Sequence, residues 1–181
     1  MNNTTVTTGK VRLSYAHLFE PTLAPGATVP KYSVSVIIPK SDTKTLARIE
    51  TAINAAKEQG KSKWGGKIPP RLKTPLRDGD DERPDDPAYA DSYFFNCSSN
   101  RPPAVVDRSL NPILDPYEVY SGCYARVNVN FYAFDTSGNR GIAAGLNSVQ
   151  KWEDGEPLGG AAPSVEAAFA DDDEDLDALL S

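Results

Sequence analysis

Alternating apolar and polar residues predict two strands near the start of the chain. In 9–19, Val11, Leu13 and Tyr15 alternate with polar neighbours, which is the period of a strand with one buried face. The segment 31–38 repeats this pattern, and Pro39 ends it. A connection rich in Pro and Gly separates the two segments. The pattern therefore predicts two β-strands joined by a loop.

One helix is predicted directly after the second strand. Ser41 or Asp42 can cap it, and it is expected to run to about Gln59, with Gly60 as its stop. Its apolar residues recur at spacings of three and four, as one buried helix face requires: Leu46, Ile49, Ile53 and Ala56. The long segment that follows, 60–91, has no sustained periodicity. A loop of this length in a compact domain is usually functional or disordered.

The rest of the body is predicted to be mainly strand. Strand patterns cover 92–98, briefly 104–106, and then 117–134. In the last of these, one face is apolar and the other is polar and aromatic: Tyr124, Arg126, Asn128, Asn130, Tyr132 and Phe134. Residues 135–139 are expected to form a hairpin turn into a final strand, 140–152.

This order of elements predicts a mainly β fold, a small antiparallel barrel with one helix and a long basic and acidic loop. The OB-fold is the commonest nucleic-acid-binding version of such a barrel. From Glu153 the composition shifts to Gly, Ala, Pro and acids, without a core pattern. We therefore expect an OB-fold-like domain at 1–152 and a disordered linker with an acidic C-terminal tail at 153–181.

The charge of the chain divides at the same point. Residues 153–181 hold ten of the 25 acids and no Lys or Arg, which leaves fifteen acids against 19 bases in 1–152. Residues 1–152 therefore have a net charge of +4, although the whole chain has a net charge of -6. Such asymmetry suggests that the body binds a polyanion. The tail is then a contact arm, an internal competitor for the same surface, or only a solubilising segment.

Several function classes become improbable on composition. No stretch approaches the ~20 apolar residues of a membrane span, and the start lacks the apolar core of a signal peptide, so we expect a soluble, cytoplasmic protein. Cys97 and Cys123 are expected to be two buried thiols. His17 is the only histidine, and its place within a strand favours a structural role over catalysis. We predict a protein that is not an enzyme and uses no metal or cofactor.

The first candidate for nucleic-acid contact is the basic stretch 57–77. It has seven bases against the single acid Glu58. Lys and Arg attract phosphates, and an exposed indole offers a face on which a base can stack. The candidate residues are Lys61, Lys63, Trp64, Lys67, Arg71 and Lys73. The alternative is a loop that balances its acidic neighbour, with Trp64 packed beneath it.

The second candidate is the polar face of the strand from Tyr124 to Phe134. Tyr124, Arg126 and Tyr132 suit unpaired bases that lie flat across a sheet. Lys10 and Arg12 on the first strand could extend this face electrostatically. The alternative is that Tyr132 and Phe134 cover a second small core.

One enzymatic alternative rests on the acids between Asp78 and Asp91. A metal-dependent nuclease or Holliday-junction resolvase could bind metal through Asp78, Asp80, Asp81 and Asp85. These acids lie in one loop broken by prolines rather than on separate rigid strands, which favours a solvated charged loop. A third alternative is an interaction adaptor that acts through its tail alone.

Four segments resemble a known family: 10–19 (KVRLSYAHLF), 78–81 (DGDD), 120–124 (YSGCY), and 141–150 (GIAAGLNSVQ) followed by Asp154 and Gly155. They resemble bacteriophage single-stranded DNA-binding proteins long known only as a domain of unknown function, over about 9–160. The resemblance implies an OB-fold, DNA binding that tolerates any sequence, and a role in phage replication or recombination. Single-stranded DNA is then the expected partner, duplex DNA at most a weak one, and the host cytoplasm the expected location.

The tail resembles those of single-stranded DNA-binding proteins in general, with a linker, an acidic cluster and a short apolar end. This resemblance implies that replication or recombination proteins bind the tail. Many such tails end in an aromatic residue, whereas this one ends Leu-Leu-Ser. The candidate residues for partner binding are Asp171, Asp172, Asp173, Glu174, Asp175, Leu176, Asp177, Leu179 and Leu180.

Overall fold

The computed structural model describes residues 3–23 and 26–158 of the chain. The candidate tail residues from 171 to 180 therefore lie outside the described residues. The strands are β1 (Thr5–Thr7), β2 (Val11–Thr22), β3 (Lys31–Pro39), β4 (Arg77–Asp78), β5 (Ser92–Ser99), β6 (Ala104–Val106), β7 (Tyr124–Thr136) and β8 (Asn139–Glu153). The helices are α1 (Thr43–Gly60) and the short α2 (Gly79–Glu82), with single 3-10 turns at Lys61–Trp64 and Pro87–Tyr89.

Five strands close into a barrel. β2 pairs antiparallel with β3, β3 with β5, β7 with β8, and β7 with the start of β2. A short parallel contact at Ser98 and Gly145 joins β5 to β8 and completes the ring. A small five-stranded barrel of this kind is an OB-fold, so the predicted fold class is confirmed. The first barrel strand is β2, and the second and third are β3 and β5.

The barrel interior follows the predicted alternation. Along β7 and the residue before it, every second side chain is buried: Cys123, Ala125, Val127, Val129, Phe131 and Ala133. Helix α1 packs on this strand, and the Asp42 side chain accepts a hydrogen bond from the Thr45 amide at 3.2 Å, as a helix cap does. Cys97 and Cys123 are free and buried, and burial raises the pKa of both thiols.

Residues 117–123 form turns rather than the predicted strand. Asp115 accepts a hydrogen bond from the Tyr117 amide, and Gly122 has a φ of +113°, which a residue with a side chain rarely adopts. An added Cβ at Gly122 would also overlap the main chain at Glu156. The strand therefore starts at Tyr124. The short β1, which pairs with β7, had no pattern by which it could be predicted.

The barrel domain extends past the predicted boundary at residue 152. The Leu158 amide donates to the Ser121 carbonyl at 2.9 Å, and the Tyr120 hydroxyl contacts Asp154 and Gly155. Burial raises the pKa of Tyr120, and the hydrogen bond from Lys151 lowers the pKa of Asp154. Residues 153–158 are thus fastened to the barrel.

Tyr15 lies on the opposite side of β2 from the one that strict alternation predicts. The register between β2 and β3 shifts between Ser14 and His17, which marks a β-bulge. Tyr15 has a φ of +48°, and 52% of the residue is exposed, whereas Ser14 is buried. His17 lies after the bulge and pairs with Ser33 across the sheet.

The predicted loop 60–91 is folded against the barrel for much of its length. Tyr89 packs with Ile37 and Phe94 in a second small core on the outer face of β3 and β5. The Tyr89 hydroxyl donates to the Ser35 hydroxyl at 3.2 Å. This packing holds the acidic part of the loop, and Arg83 within it, over the second and third barrel strands.

Candidate nucleic-acid interface

Residues 73–78 fill the gap where β5 and β8 separate. The Lys73 amide donates to the Arg140 carbonyl at 3.1 Å, and the Ile142 amide donates to the Lys73 carbonyl at 2.8 Å. A few residues later, Arg77 pairs with Phe94 of β5. The backbone of this segment is therefore fixed to both strands, and the exposed side chains of Lys73 and Arg77 line its outer surface.

Three surface depressions follow this segment and share lining residues. The first lies between 69–73 and the β7–β8 turn, the second between Lys73 and Glu82, and the third between Arg77 and Asn96. Lys73 joins the first to the second, and Arg77 joins the second to the third. We call this continuous surface the β5 groove, defined by Arg71, Lys73, Arg77, Arg83, Asn96 and Arg140. OB-folds bind oligonucleotides on the second and third strands and on the loop between the fourth and fifth, which is where this groove lies.

The two ends of the β5 groove are cationic, and its middle is mixed. Arg71 and Lys73 are exposed at one end, beside Arg140, which pairs with Asp135 at 3.2 Å. Asp81 and Glu82 line the middle, and Glu82 pairs with Arg77 at 2.9 Å. Phosphates would be attracted chiefly to the ends.

Arg83 and Tyr15 lie together at the far end of the groove. The guanidinium carbon of Arg83 is 5.6 Å from the centre of the Tyr15 ring. The same carbon lies 5.4 Å from the Tyr89 ring and 5.6 Å from the Phe94 ring. These distances fit cation–π contacts, which hold the guanidinium against the second small core.

The basic residues of 57–77 do not form one surface in the structure. Arg71 and Lys73 lie in the β5 groove, and Lys67 is exposed. Lys61 pairs with Glu58 at 2.7 Å, and the Lys63 ammonium donates to the Ala133 carbonyl at 3.0 Å. Lys61 therefore already has a partner on α1, and Lys63 has one on β7.

The expectation of an exposed indole at Trp64 is wrong. Trp64 is only 4% exposed, and its Nε1 donates to the Phe134 carbonyl at 3.1 Å. Its ring packs on Gly60, where an added Cβ would overlap both the indole and Ala133. The helix runs on into a 3-10 turn that folds the indole into the core, so the alternative with Trp64 packed beneath the loop is the one observed.

The second predicted constellation holds the two ends of the domain together. Lys10 and Arg12 lie 5.3 and 5.8 Å from the centre of the Tyr124 ring. Arg12 donates to the carbonyls of Gly122 and Glu156, at 3.2 and 2.8 Å, and Lys10 pairs with Glu153. Arg126 donates to the Thr8 carbonyl at 3.1 Å. We call Lys10, Arg12, Tyr124 and Arg126 the terminal clasp, because their polar groups bind segments near both ends of the described chain.

The remainder of the polar face of β7 is covered in part by β1. Asn128 donates to the Thr7 hydroxyl at 2.8 Å, and the Thr4 hydroxyl donates to Asn130 at 2.7 Å. Tyr132 is 43% exposed and remains available for contact. Of the predicted contact residues on this face, Tyr132 is therefore the one whose side chain is most open to a ligand.

The acid cluster binds a lysine. Lys40 lies 3.0 Å from Asp78 and 2.9 Å from Asp80. The hydrogen bond from Lys40, followed by that from the Asp91 amide, lowers the pKa of Asp80, and the hydrogen bonds to Asp80 and Asp78 raise the pKa of Lys40. Among residues 3–23 and 26–158, no group of three or more potential ligands is placed to hold a metal ion. Nothing supports the nuclease alternative.

Sequence reasoning missed Tyr15, Arg83 and Arg140. The alternation of β2 places Tyr15 in the core, and only the bulge turns it outward. Arg83 stands alone among acids, and Arg140 follows a turn, so neither belongs to a basic run. No local pattern in the sequence distinguished these three residues from their neighbours. No helix among the described residues is long and apolar enough to cross a bilayer.

Comparisons with known proteins find related phage proteins. A family model described as Enterobacter phage Enc34, ssDNA-binding protein, matches residues 4–179. The putative protein p50 of Acyrthosiphon pisum secondary endosymbiont phage 1 is 35% identical over 167 residues, which cover 86% of this chain and 88% of the relative.

Two solved structures share the fold. The single-stranded DNA-binding protein of bacteriophage Enc34, solved in complex with ssDNA, has a TM-score of 0.76 at 26% identity, over 86% of this chain and 90% of that one. The single-stranded DNA-binding protein gp2.5 of bacteriophage T7 has a TM-score of 0.60 at 17% identity, over 91% and 99%, a likeness of fold alone. Since the family model spans nearly the whole sequence, the chain belongs to the family of the Enc34 phage single-stranded DNA-binding protein.

Proposed function

We propose that this protein binds single-stranded DNA without sequence preference and coats and protects it during phage DNA replication and recombination. The observation that carries the proposal is the β5 groove, with cations at both ends and an exposed tyrosine, on the face that OB-folds use for oligonucleotides. The related Enc34 protein was solved with ssDNA. The protein would act in the cytoplasm of the infected host cell, without catalysis and without a cofactor.

Unpaired DNA suits this groove better than duplex DNA. The phosphates of single-stranded and of duplex DNA can both pair with the cations of the groove. A base, however, can stack on a side chain only when it is not already paired and stacked within a duplex. Stacking and phosphate contact accept every base, so we expect oligo-dT, oligo-dA and mixed sequences to bind alike. Duplex DNA is expected to bind more weakly.

A titration of labelled oligo-dT at several salt concentrations tests the proposal. With ~4 to 6 phosphate contacts, the log–log dependence of affinity on salt should have a slope of about -3 to -4. A slope near zero, or strong preference for one short sequence, would contradict the proposal. The same oligonucleotide incubated with magnesium should remain intact, and its cleavage would instead revive the nuclease alternative.

We also propose that the tail competes with DNA and binds a replication or recombination protein. Residues 162–181 carry seven acids and no base, and the chain enters this region from Leu158, which is fastened to the barrel at Ser121. A tethered anionic segment can compete at an effective concentration of ~mM. Deletion of 162–181 should tighten ssDNA binding most at low salt and abolish partner binding. Equal affinity of the two chains at low salt would contradict the competition.

A further inference from the structure

The backbone at Tyr15 is strained in a way that exposes its ring. A φ of +48° is uncommon for a residue with a side chain, because it brings the Cβ close to the neighbouring backbone. The bulge between Ser14 and His17 turns the ring outward, although an apolar side chain at this position would normally be buried in the barrel. Tyr15 is consequently 52% exposed at the edge of the second and third barrel strands.

Arg83 carries a charge that no acid in the described structure neutralises. None of the ion pairs formed by residues 3–23 and 26–158 involves Arg83, although Glu82 precedes it and pairs with Arg77. Three rings, those of Tyr15, Tyr89 and Phe94, fix the guanidinium within 5.4 to 5.6 Å of their centres. Aromatic faces orient a guanidinium but leave its N–H donors without an anion.

The donors of Arg83 border an open depression that an extended strand could cross. This depression is also lined by Asn96 and Arg77 and has a volume of about 510 Å³. It continues through Arg77 and Lys73 to the cationic end beside the β7–β8 turn. A phosphodiester chain that follows the groove from that end therefore meets a fixed cation and an exposed ring at the same place.

We propose that Tyr15 and Arg83 form one nucleotide subsite, in which an unpaired base stacks on Tyr15 and a neighbouring phosphate pairs with Arg83. The subsite deepens the proposed function, on which it rests. Tyr89 and Phe94 position the guanidinium from beneath, so Arg83 contacts the phosphate and also supports one side of the Tyr15 ring. The ligand class is an unpaired nucleotide of any base, because neither contact reads a base edge.

Two oligonucleotides of equal charge separate the two contacts. One is oligo-dT and the other has the same length with abasic sites, so that it keeps every phosphate and lacks bases. Tyr15→Ala should weaken dT binding about tenfold, within the ~5- to 150-fold range of one lost stacking contact, and change abasic binding less than twofold. Tyr15→Phe should bind both as the wild type does. Arg83→Gln should weaken both and reduce the magnitude of the salt slope by about 0.7.

Tyr132→Ala is the comparison variant, because Tyr132 is the exposed tyrosine of the second candidate face, on β7. Unchanged dT affinity in folded Tyr15→Ala, or equal losses for dT and abasic DNA, would overturn the subsite. A loss of dT affinity in Tyr132→Ala without one in Tyr15→Ala would move the stacking site to β7.

If Tyr15→Ala does not fold, Tyr15→Trp serves instead. Quenching of its added fluorescence by dT and not by abasic DNA supports the subsite, and the absence of quenching overturns it.

The result is separable from the proposed function as a whole. Wild-type protein that does not bind oligo-dT at all would contradict single-stranded DNA binding itself. Wild-type protein that binds with the expected salt slope, together with an inert Tyr15→Ala and an inert Arg83→Gln, would leave DNA binding in place and reject only the subsite.

Discussion

The β5 groove and the terminal clasp contain similar side chains but differ in what those side chains contact. Each has arginines and a lysine, with a tyrosine beside one of the arginines. In the clasp, Arg12 and Arg126 donate to backbone carbonyls, and Lys10 pairs with Glu153. In the groove, Arg71 and Lys73 are exposed, and Arg83 lies beside three rings and forms no ion pair with any residue of 3–23 or 26–158. From their composition alone, both regions would be expected to bind nucleic acid.

The difference shows that the partners of a cation decide whether it is available to a ligand. A guanidinium already bonded to carbonyls would lose those bonds on binding a phosphate, so most of the gain is cancelled. A guanidinium without an anion gains the full contact. The aromatic residues show the same contrast, since Tyr15 is 52% exposed and Trp64 is 4% exposed. We therefore expect substitutions in the clasp and at Trp64 to affect stability, and substitutions in the groove to affect DNA binding.

The largest expected effect is that of Trp64→Ala. It removes a buried ring packed on Gly60 and the bond to the Phe134 carbonyl, which should cost ~3 to 5 kcal/mol of unfolding free energy. Trp64→Phe keeps most of the packing and should cost less. Urea denaturation measures both, and the affinity of the folded fraction for oligo-dT should not change. Wild-type stability with weakened DNA binding would restore the stacking role predicted from the sequence.

The next largest effect is expected when three cations of the groove are replaced, and it is compared with the replacement of three cations of the clasp. Arg71→Gln, Lys73→Gln and Arg140→Gln together should lower oligo-dT affinity about tenfold or more near 0.1 M salt and reduce the magnitude of the salt slope by about 2. Lys10→Gln, Arg12→Gln and Arg126→Gln together should leave the slope nearly unchanged and lower the urea midpoint. The two readouts, slope and midpoint, are measured on both proteins.

A third triple variant locates the boundary of the site. Replacement of Lys61, Lys63 and Lys67 removes the same charge from the neighbouring loop, and Lys61 and Lys63 already have partners. We expect a smaller loss than for the groove variant. A larger loss here would place the main contact on the loop rather than in the groove.

Local patterns predicted most of the barrel. Strand patterns identified β2, β3, β5 and β7, and a turn signal identified β8. Of the two predicted caps of α1, Ser41 and Asp42, Asp42 is the one observed. Arg71 and Lys73 of the groove lay within the basic run that marked the loop. These features depend on neighbours that are close in the sequence, which is why a single sequence could indicate them.

The remaining features depend on contacts between distant residues. The bulge that exposes Tyr15 is defined by the pairing of β2 with β3, and the burial of Trp64 depends on Phe134, seventy positions away. Arg83 becomes prominent only when the loop packs Tyr89 over Phe94. No periodicity within β2 or the loop reports these contacts, so the sequence predicted an exposed ring at Trp64 and a buried ring at Tyr15, and the structure shows the reverse.

A smaller effect, on stability, is expected when Lys40 is replaced. Lys40 pairs with Asp78 and Asp80 and so holds the acidic part of the loop that carries Arg83. The pKa of Asp80 is below its usual 3.8, so its ionised form stabilises the fold at neutral pH, and this contribution is lost as the pH falls below about 4. The raised pKa of Lys40 means that its contribution is lost only in strong alkali. Lys40→Met should therefore lose stability at pH 7 and show a shallower decline towards pH 3. Urea midpoints at both values measure this, and parallel declines in the two proteins would contradict it.

The smallest expected effect concerns Asp81, which lines the middle of the groove and therefore lies near the proposed path of the phosphates. Asp81→Asn should tighten oligo-dT binding about twofold at ~0.01 M salt, where charges interact over ~30 Å, and less at ~0.15 M, where they are screened beyond ~8 Å. Asp85→Asn is the matched control, because Asp85 is exposed in the same loop but lines none of the three depressions. Equal tightening in both variants would mean that DNA responds to the net charge of the loop. A gain confined to Asp81→Asn, measured by anisotropy at both salt concentrations, would instead place the strand in the groove itself.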